Sequence, residues 1–293
     1  MSILIDENTK MMVYGMTGNY GTNQVKAMTA YGAKVVAGVS AGKGGTTHLD
    51  IPITDTGKEA VELYGANTAV VYMPAAVAAN TTMEAICSGV KTIFLATEGI
   101  PLQETIVLRK EAKERGVHLI GPNSMGLISP GKTLVGSIPP EFCRPGFVGA
   151  ISRSGSLSAT LAKIITDGGY GESTVISVGG DSVIGMNPVE YMQMFEEDPE
   201  TKAVVMLGEA GGTKEYEVVE YLPKMKTPVV AFICGRSAPP GKRMGHMGAI
   251  VSSADQTADS KAKALAAAGA TVVDIPWDIP RALREIGFEP QYK

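Results

Sequence analysis

The fold is decided by the stretch Met11-Met12-Val13-Tyr14-Gly15-Met16-Thr17-Gly18-Asn19-Tyr20-Gly21-Thr22. A short apolar run bounded by glycine predicts a buried strand, and the residues after the glycines follow a helical periodicity. Glycines permit a tight turn between the two elements, and the free N–H groups at the start of a helix suit a pyrophosphate. The spacing is GxxGxxG rather than GxGxxG, so the loop alone does not identify a ligand.

Outward from this stretch, short β-branched runs alternate with amphipathic segments along the whole chain. In the first half the predicted strands are Met11 to Gly15, Lys34 to Val39, Ala69 to Met73, Thr92 to Ala96 and His118 to Ile120. In the second half they are Val148 to Ser152, Thr174 to Val178, Ala203 to Gly208, Val229 to Cys234 and Thr271 to Asp274. This alternation predicts parallel sheets with crossover helices, whose ligands lie beyond the carboxyl ends of the strands.

A Pro- and Gly-rich segment at residues 128–146 interrupts the alternation. A chain of 293 residues exceeds the usual size of one core, so we predict two doubly wound α/β domains, at residues 1–128 and 129–293.

The composition excludes several classes of protein. With 30 acidic and 26 basic residues the chain lacks the positive charge that nucleic-acid binding requires. Its three cysteines are scattered and form neither a disulfide framework nor a CxxC metal motif. The N-terminus does not resemble a signal or transit peptide, and no apolar run reaches membrane-spanning length. We therefore expect a cytoplasmic protein that holds no metal itself and does not bind a membrane.

The loop after the second predicted strand reads Ser40-Ala41-Gly42-Lys43-Gly44-Gly45. An NAD site requires an acidic residue there, whereas Lys43 suits a phosphate. A ribose that carries a phosphate occurs in both NADP and coenzyme A, so charge alone leaves both open, beside the alternative of a solvated lysine. Thr97-Glu98-Gly99 follows the fourth strand at the same sheet edge, within reach of an adenine or a pantetheine arm.

Two strand ends in the second half carry groups that suit anion chemistry. Ser152-Arg153-Ser154-Gly155-Ser156 joins a strand to a helix, and its hydroxyls and helix N-terminus predict a cradle for phosphate or carboxylate. A plain Ser N-cap is the alternative, and it needs only one of those hydroxyls. Gly208-Glu209-Ala210-Gly211-Gly212 ends another strand, and Glu209 is the candidate partner of a histidine.

The candidate histidine is His246, which lies in the glycine-rich loop Gly241-Lys242-Arg243-Met244-Gly245-His246. A neutral imidazole can carry a phosphoryl group, and a carboxylate on one ring nitrogen fixes the tautomer so that the other nitrogen can attack phosphorus. A buried structural histidine and a solvated glutamate are the alternatives at these two positions.

Taken together, these segments closely resemble the α subunit of succinate–CoA ligase, also called succinyl-CoA synthetase. The resemblance extends from Met1-Ser2-Ile3-Leu4-Ile5-Asp6 through Gly121-Pro122-Asn123 to His246. It implies a Rossmann-like CoA-binding domain followed by a flavodoxin-like ligase domain. It also implies an enzyme that forms acyl-CoA, nucleoside diphosphate and phosphate from a carboxylate, CoA and a nucleoside triphosphate.

Carried over by position, the resemblance makes His246 the phosphohistidine and Glu209 its orienting partner. It places phosphate at Ser154, Gly155 and Ser156. It places coenzyme A at Thr17, Gly18, Asn19, Tyr20, Lys43, Ala96, Thr97 and Glu98. ATP or GTP with magnesium would bind a separate ATP-grasp β subunit in an αβ or α2β2 heteromer, which agrees with the lack of a GxxxxGK[ST] motif in this chain.

The sequence departs from succinate-specific relatives around the expected acid site, which comprises Asn123, Ser124 and Ala159. Where those relatives read Ser-Arg-Ser-Gly-Thr-Leu-Thr-Tyr-Glu, this chain has Ala159 in place of the aromatic ring and Thr160 in place of the acid. The extra room and lower negative charge suit a hydroxylated dicarboxylate or a sulfonate-bearing carboxylate as well as succinate. Drift compensated by the partner subunit remains an alternative.

Two functions of other classes stay open from the sequence. A non-catalytic CoA-binding or acyl-CoA-sensing protein needs only the first half, and it leaves His246, Glu209 and Ser154 unexplained. An NADP-dependent oxidoreductase explains Lys43 but requires a hydride-transfer site, for which the sequence offers no candidate.

Overall fold

The computed structural model describes residues 2–239, 241–242, 245–246 and 249–292. The first α/β unit contains strands β1 (Lys10–Tyr14), β2 (Lys34–Val39), β3 (Thr47–His48), β4 (Ile51–Thr54), β5 (Thr68–Val71), β6 (Thr92–Leu95) and β7 (His118–Ile120). Its helices are α1 (Asn19–Ala30), α2 (Gly57–Tyr64), α3 (Ala75–Cys87) and α4 (Leu102–Glu114).

The strand order of this first sheet is β3-β4-β2-β1-β5-β6-β7. All pairs are parallel except β3 with β4. The strands β5 and β6 are buried along their whole length, because helices cover both faces of a doubly wound sheet. After β1 the chain continues to β2 on one side of the sheet, and after β5 it continues to β6 on the other side. A crevice therefore opens between the carboxyl ends of β1 and β5.

The second unit contains strands β8 (Gly126–Ser129), β9 (Thr133–Gly136), β10 (Pro145–Ser152), β11 (Glu172–Ser177), β12 (Ala203–Glu209), β13 (Val229–Cys234) and β14 (Thr271–Val272). Its helices are α5 (Gly155–Asp167), α6 (Pro188–Glu197), α7 (Lys214–Tyr221), α8 (Ala258–Ala267) and α9 (Ile279–Glu285). The strand order is β14-β13-β12-β10-β11-β8-β9, and the strands from β14 to β11 are parallel.

The predicted fold class, two parallel-sheet α/β units, is confirmed, and each of the ten predicted strands is present. The sequence did not indicate β3 and β4, or the antiparallel hairpin β8–β9. The boundary expected between residues 128 and 129 cuts β8, which pairs with β11, so the sheets change between Ile120 and Gly126. Glycines and a proline gave this hairpin the composition of a linker, but both of its strands are fully buried.

One apolar core extends across both units, and a second core lies within the first unit. Met28 on α1 packs with Leu134 and Val135 of β9, and its Sδ lies 3.3 Å from the amide nitrogen of Gly136. Across the same contact, the Gly131 N–H donates to Tyr31 Oη at 2.8 Å. The units are therefore held in a fixed relation by buried contacts. None of the described helices has the length and hydropathy that a membrane span requires.

Candidate active site at the junction of the two sheets

Three neighbouring strands of the second sheet end at the candidate site. The loop after β11 carries Gly180, the turn after β10 carries Arg153, and Glu209 is the last residue of β12. Because β10 lies between β11 and β12 in a parallel sheet, their carboxyl ends meet at one edge. Two of the predicted groups, the Ser154–Ser156 turn and Glu209, are thus brought to the same edge.

His246 contacts Glu209 directly. Its Nδ1 lies 2.8 Å from Glu209 Oε2, and the imidazole is 25 % exposed whereas the carboxylate side chain is 8 % exposed. A carboxylate can only accept here, so Nδ1 carries the proton and Nε2 keeps its lone pair. The ring packs on the backbone of Gly180, where a Cβ would lie 2.7 Å from His246 Cδ2. Only glycine leaves room for the ring at that position.

Buried charges tune both members of this pair. Arg153 is 2 % exposed, and its Nη1 lies 3.1 Å from Glu209 Oε1, a contact of opposite charges without hydrogen-bond alignment. Burial works to raise the pKa of Glu209, but the His246 hydrogen bond and the charges of Arg153, His246 and Lys261 outweigh burial and leave this pKa lowered. The hydrogen bond to Glu209 raises the pKa of His246, against the opposing effect of burial. Glu209 is therefore ionised at neutral pH.

The helix α5 begins beside these charges. Ser154 is its N-cap, with Oγ accepting from the Leu157 N–H at 3.5 Å, and Ser156 Oγ lies 3.4 Å from Ser154 Oγ. The first N–H groups of a helix have no acceptor within the helix, and they carry its positive partial charge. Gly155 packs against Met125, since a Cβ at Gly155 would lie 2.8 Å from Met125 Cγ. The turn has the donors that the predicted anion cradle requires, and Ser156 is exposed.

The three residues expected to contact the carboxylic acid substrate lie in different surroundings. Ala159 lies on α5, one turn beyond the cradle, and is 8 % exposed. Ser124 is committed to the backbone, since its hydroxyl donates to the Ser177 carbonyl and accepts from the Gly126 N–H. Asn123 Nδ2 donates to Asp181 Oδ1 at 3.1 Å. Ser124 therefore has a structural contact that the sequence did not suggest.

A cleft of about 790 Å³ opens at the carboxyl edge of the first sheet. The cleft is lined by Thr17, Gly18, Asn19 and Tyr20, four of the residues expected to bind coenzyme A. Lys43 is at its rim, with Nζ donating to Thr17 Oγ1 at 3.1 Å. The wall also contains Tyr72, whose buried hydroxyl has no hydrogen-bond partner among the described residues. A buried hydroxyl without a partner and an exposed lysine at the rim suit a long polar ligand.

The segment Ala96–Glu98 lies between the cleft and His246 rather than in the cleft wall. Thr97 O accepts from the Asn123 N–H at 2.9 Å, and Gly180 N donates to Asn123 O at 3.1 Å. The charge of Glu98 contributes to the raised pKa of His246. Burial raises the pKa of Asp181, and the charge of Glu98 adds to this effect. The two sheet edges therefore face each other across Asn123.

Comparison with known proteins agrees with this arrangement. The profile of the CoA binding domain family matches residues 6–99, and that of the CoA-ligase family matches residues 151–271. The α subunit 2 of the ADP-forming succinate–CoA ligase of Archaeoglobus fulgidus is 48% identical over 286 residues, which are 98% of this chain and 100% of that protein. This chain belongs to the succinate–CoA ligase α-subunit family.

Membership of this family makes the chain the α subunit of an acid–CoA ligase and implies a β subunit as its partner. The malate–CoA ligase α subunit of Methylorubrum extorquens is 43% identical over 94% of this chain and 95% of that protein. A structure of ATP citrate lyase from Methanothrix soehngenii with citrate and coenzyme A superposes with a TM-score of 0.88 at 27% identity. That match covers 97% of this chain and 50% of the lyase chain, so this chain spans about half of the lyase's length.

Several residues of the site were not predicted. Arg153 stood within a quoted motif, but nothing indicated that its side chain turns toward Glu209. Gly180 is one of 35 glycines and carried no signal of its own. Glu215 and Lys261 were not singled out from the sequence, although both are buried. Helix periodicity assigns certain positions to the core, and a charged residue at such a position indicates a buried charge. That pattern could have identified Glu215 and Lys261.

Proposed function

We propose that this chain is the phosphohistidine-carrying subunit of a ligase that joins a small dianionic acid to coenzyme A at the expense of ATP or GTP. The contact of His246 Nδ1 with the buried carboxylate of Glu209 at 2.8 Å carries the proposal. A histidine with a purely structural role does not need a carboxylate that is paired with a buried arginine, as Glu209 is with Arg153. Such a histidine also does not need the N-terminus of a helix next to that pair.

The residues of the chain divide the reaction into three transfers. His246 Nε2 attacks the γ-phosphorus of the nucleotide, and the nucleoside diphosphate leaves with the electrons of the broken P–O bond. A carboxylate oxygen then attacks that phosphorus and breaks the P–N bond, so that His246 is restored. In the last transfer the thiolate attacks the acyl carbon, and the C–O bond breaks to release phosphate. Glu209 holds the charge on the ring, while the α5 N-terminus stabilises oxyanions.

The cleft of the first unit fits coenzyme A in this scheme. Thr17, Gly18, Asn19 and Tyr20 would hold the pyrophosphate and adenine end, and Lys43 at the rim would pair with the ribose phosphate. Ala96–Glu98, placed between the cleft and His246, would flank the thiol arm. The β subunit, proposed as an ATP-grasp protein, supplies the nucleotide and magnesium site.

The small side chain at residue 159 supports an acid that needs more room than succinate. Ala159 is buried on α5, the helix whose first turn forms the cradle, and the family resemblance is what assigns it to the acid site. Relatives carry the names succinate–CoA ligase and malate–CoA ligase, and both acids are dicarboxylates. A hydroxylated dicarboxylate or a sulfonate-bearing carboxylate therefore stands beside succinate in the proposal.

The first test is chemical labelling of the copurified heteromer with [γ-³²P]ATP or [γ-³²P]GTP and magnesium. Label on the α chain should be acid-labile and base-stable, as expected of a phosphoramidate. His246→Ala should abolish the label and turnover but leave CoA affinity unchanged in titration calorimetry. Equal labelling of His246→Ala would refute the assignment, and CoA binding without any labelling of the wild type would favour an acyl-CoA sensor.

The second test concerns the acid. Phosphate release is measured with succinate, malate and sulfoacetate, for the wild type and Ala159→Tyr with the same β subunit. Ala159→Tyr should lower kcat/KM for the preferred acid through steric exclusion, by an amount that corresponds to a loss of about 1–3 kcal/mol of transition-state binding. The alternative outcome is that the wild type prefers succinate and that Ala159→Tyr leaves the ratio of kcat/KM for succinate to that for the other acids unchanged. That outcome would show that the departure at residue 159 is drift.

A further inference from the structure

Beneath the Glu209–His246 pair lies a fully buried ion pair between Glu215 of α7 and Lys261 of α8. Lys261 Nζ is 2.6 Å from Glu215 Oε2, and both side chains are 0% exposed. Lys261 Nζ also donates to the backbone oxygens of Glu209 at 2.9 Å and Gly211 at 2.6 Å. An ammonium group has three protons, so every donor of Lys261 is engaged.

The ion pair holds the backbone of Glu209 on both of its polar groups. The Glu209 N–H donates to Glu215 Oε1 at 3.3 Å, and the Glu209 carbonyl accepts from Lys261. The third contact fixes Gly211, which packs against the residues that follow the histidine, since a Cβ there would lie 2.5 Å from the Ile250 nitrogen. The pair therefore contacts both the residue that orients the imidazole and a neighbour of the segment that carries it.

Stability alone is a weak reason to bury such a pair. Desolvation of two charges often exceeds their attraction, and well-packed apolar residues in their place are commonly neutral or stabilising. Here each hydrogen bond of the ammonium group ends on the Glu209–Gly211 turn or on the carboxylate that holds it. We propose that Lys261, acting with Glu215, is a positioning residue that aligns the Glu209 carboxylate with His246 for phosphoryl transfer. This inference rests on the role of His246 proposed above.

The kinetic test compares three variants assembled with the β subunit. Lys261→Met keeps the apolar stem and removes the charge, and Glu215→Gln/Lys261→Met also removes the charge of Glu215, which in the single variant keeps Arg153, at 3.8 Å, as its one ion-pair partner among the described residues. Lys263→Met, an exposed lysine two residues along the same helix, is the matched control. We expect the rate of His246 phosphorylation to fall by about tenfold or more in both Lys261 variants, with CoA affinity within about twofold of wild type. Lys263→Met should match the wild type in both measurements.

The spectroscopic test measures the tautomer of the His246 imidazole directly. The sequence contains only His48, His118 and His246, so ¹⁵N spectra of the ring nitrogens in the full chain are assignable by His48→Gln and His118→Gln. Neutral His246 should be the Nδ1–H tautomer in the wild type and in Lys263→Met, and a mixture of tautomers in Lys261→Met. The double variant should recover thermal stability without recovering the tautomer or the phosphorylation rate.

The inference is overturned if the double variant recovers stability, tautomer and rate together, or if Lys261→Met loses rate only in proportion to its unfolded fraction with the tautomer unchanged. A wild type that takes up no phosphate refutes the proposed function instead. The tautomer needs no nucleotide, so it still decides the role of Lys261 in that case.

Discussion

At the scale of single residues, the proposed chemistry depends on a histidine that must be neutral to react but is held by a group that favours its protonated form. Protonated imidazole has no lone pair on Nε2, so it cannot attack phosphorus. The hydrogen bond and charge of Glu209 raise the pKa of His246, while burial and Arg153 act in the opposite direction. Glu209 thus selects the reactive tautomer at the cost of a smaller neutral fraction near pH 7.

This balance predicts a specific pH dependence. The rate of His246 phosphorylation should rise with pH through a midpoint above 6.5, the ordinary pKa of histidine. In Glu209→Gln the negative charge is gone and the effects of burial and Arg153 remain, so the midpoint should move to lower pH. The plateau rate should fall by about tenfold, because the developing imidazolium charge loses its partner. Rapid-quench labelling from pH 5.5 to 9 measures both, and an unshifted midpoint would contradict the role of Glu209.

The close packing of the imidazole on Gly180 gives a second prediction. In Gly180→Ala the new methyl group would lie 2.7 Å from His246 Cδ2 and Cγ and 3.0 Å from Nδ1. The ring must therefore move, which disturbs the contact of Nδ1 with Glu209. Such a displacement should slow phosphorylation on the order of 100-fold while CoA affinity stays unchanged. Labelling kinetics and CoA calorimetry on the same preparation test it. A wild-type labelling rate would mean that the ring does not rest on Gly180 during transfer.

At the scale of elements, the sequence predicted what depends on local pattern. The runs in β5 and β6 are continuous and apolar because both faces of those strands are covered, and Ser154 begins α5 as an N-cap of the expected kind. The hairpin β8–β9 was missed because its partner, β11, lies more than forty residues along the chain, at Glu172–Ser177. Helix periodicity can indicate that Lys261 and Glu215 are each buried, but their pairing was missed because it depends on how α7 and α8 pack together.

The start of β11 carries a buried carboxyl group that makes stability depend on pH. Glu172 is 1% exposed, and its oxygens accept from the Arg144 N–H at 3.0 Å and the Thr166 hydroxyl at 3.1 Å. Burial outweighs these bonds and raises the pKa of Glu172 from 4.5 to about 8. Between these values the folded state binds a proton that the unfolded state does not, so this contribution to stability is lost as pH rises from 4.5 to 8.

Glu172→Gln should remove this dependence. The variant and the wild type should have similar unfolding free energies at pH 5, and at pH 9 the variant should be more stable by about 2 kcal/mol or more. The amide can still accept from Arg144 and donate to Thr166, whose hydroxyl can reverse its role. Urea unfolding at the two pH values measures the difference, with the exposed Glu114→Gln as the control. If the difference in unfolding free energy between variant and wild type is the same at pH 5 and pH 9, Glu172 is ionised in the folded chain.

At the scale of the whole molecule, the two units place their reactive edges against each other. The cleft proposed for CoA opens at the carboxyl edge of the first sheet, and His246 lies at that of the second. Asn123 is bonded to Thr97 on one side and to Asp181 on the other. The sequence located both edges, because each follows from its own strands and loops. It could not predict their mutual placement, which depends on the shared core and on contacts such as Gly131 with Tyr31.

The junction itself can be tested at Asn123. This residue has a φ of +57°, which glycine adopts without strain, so Asn123→Gly removes the side chain and its bond to Asp181 but keeps the backbone bond to Thr97. The Asn123–Asp181 bond is part of neither the cleft lining nor the His246–Glu209 contact, so CoA affinity and His246 phosphorylation should stay within about twofold of wild type.

Acyl-CoA formation needs both edges in register, and its kcat should fall by about tenfold in Asn123→Gly because the thiol and the activated acid are no longer held in one geometry. Calorimetry, labelling and a coupled assay of acyl-CoA on one heteromer preparation separate the three quantities. An unchanged kcat would mean that the β subunit, rather than Asn123, sets the distance between the cleft and the histidine. A loss confined to phosphorylation would instead assign the Asn123–Asp181 contact to the histidine site alone.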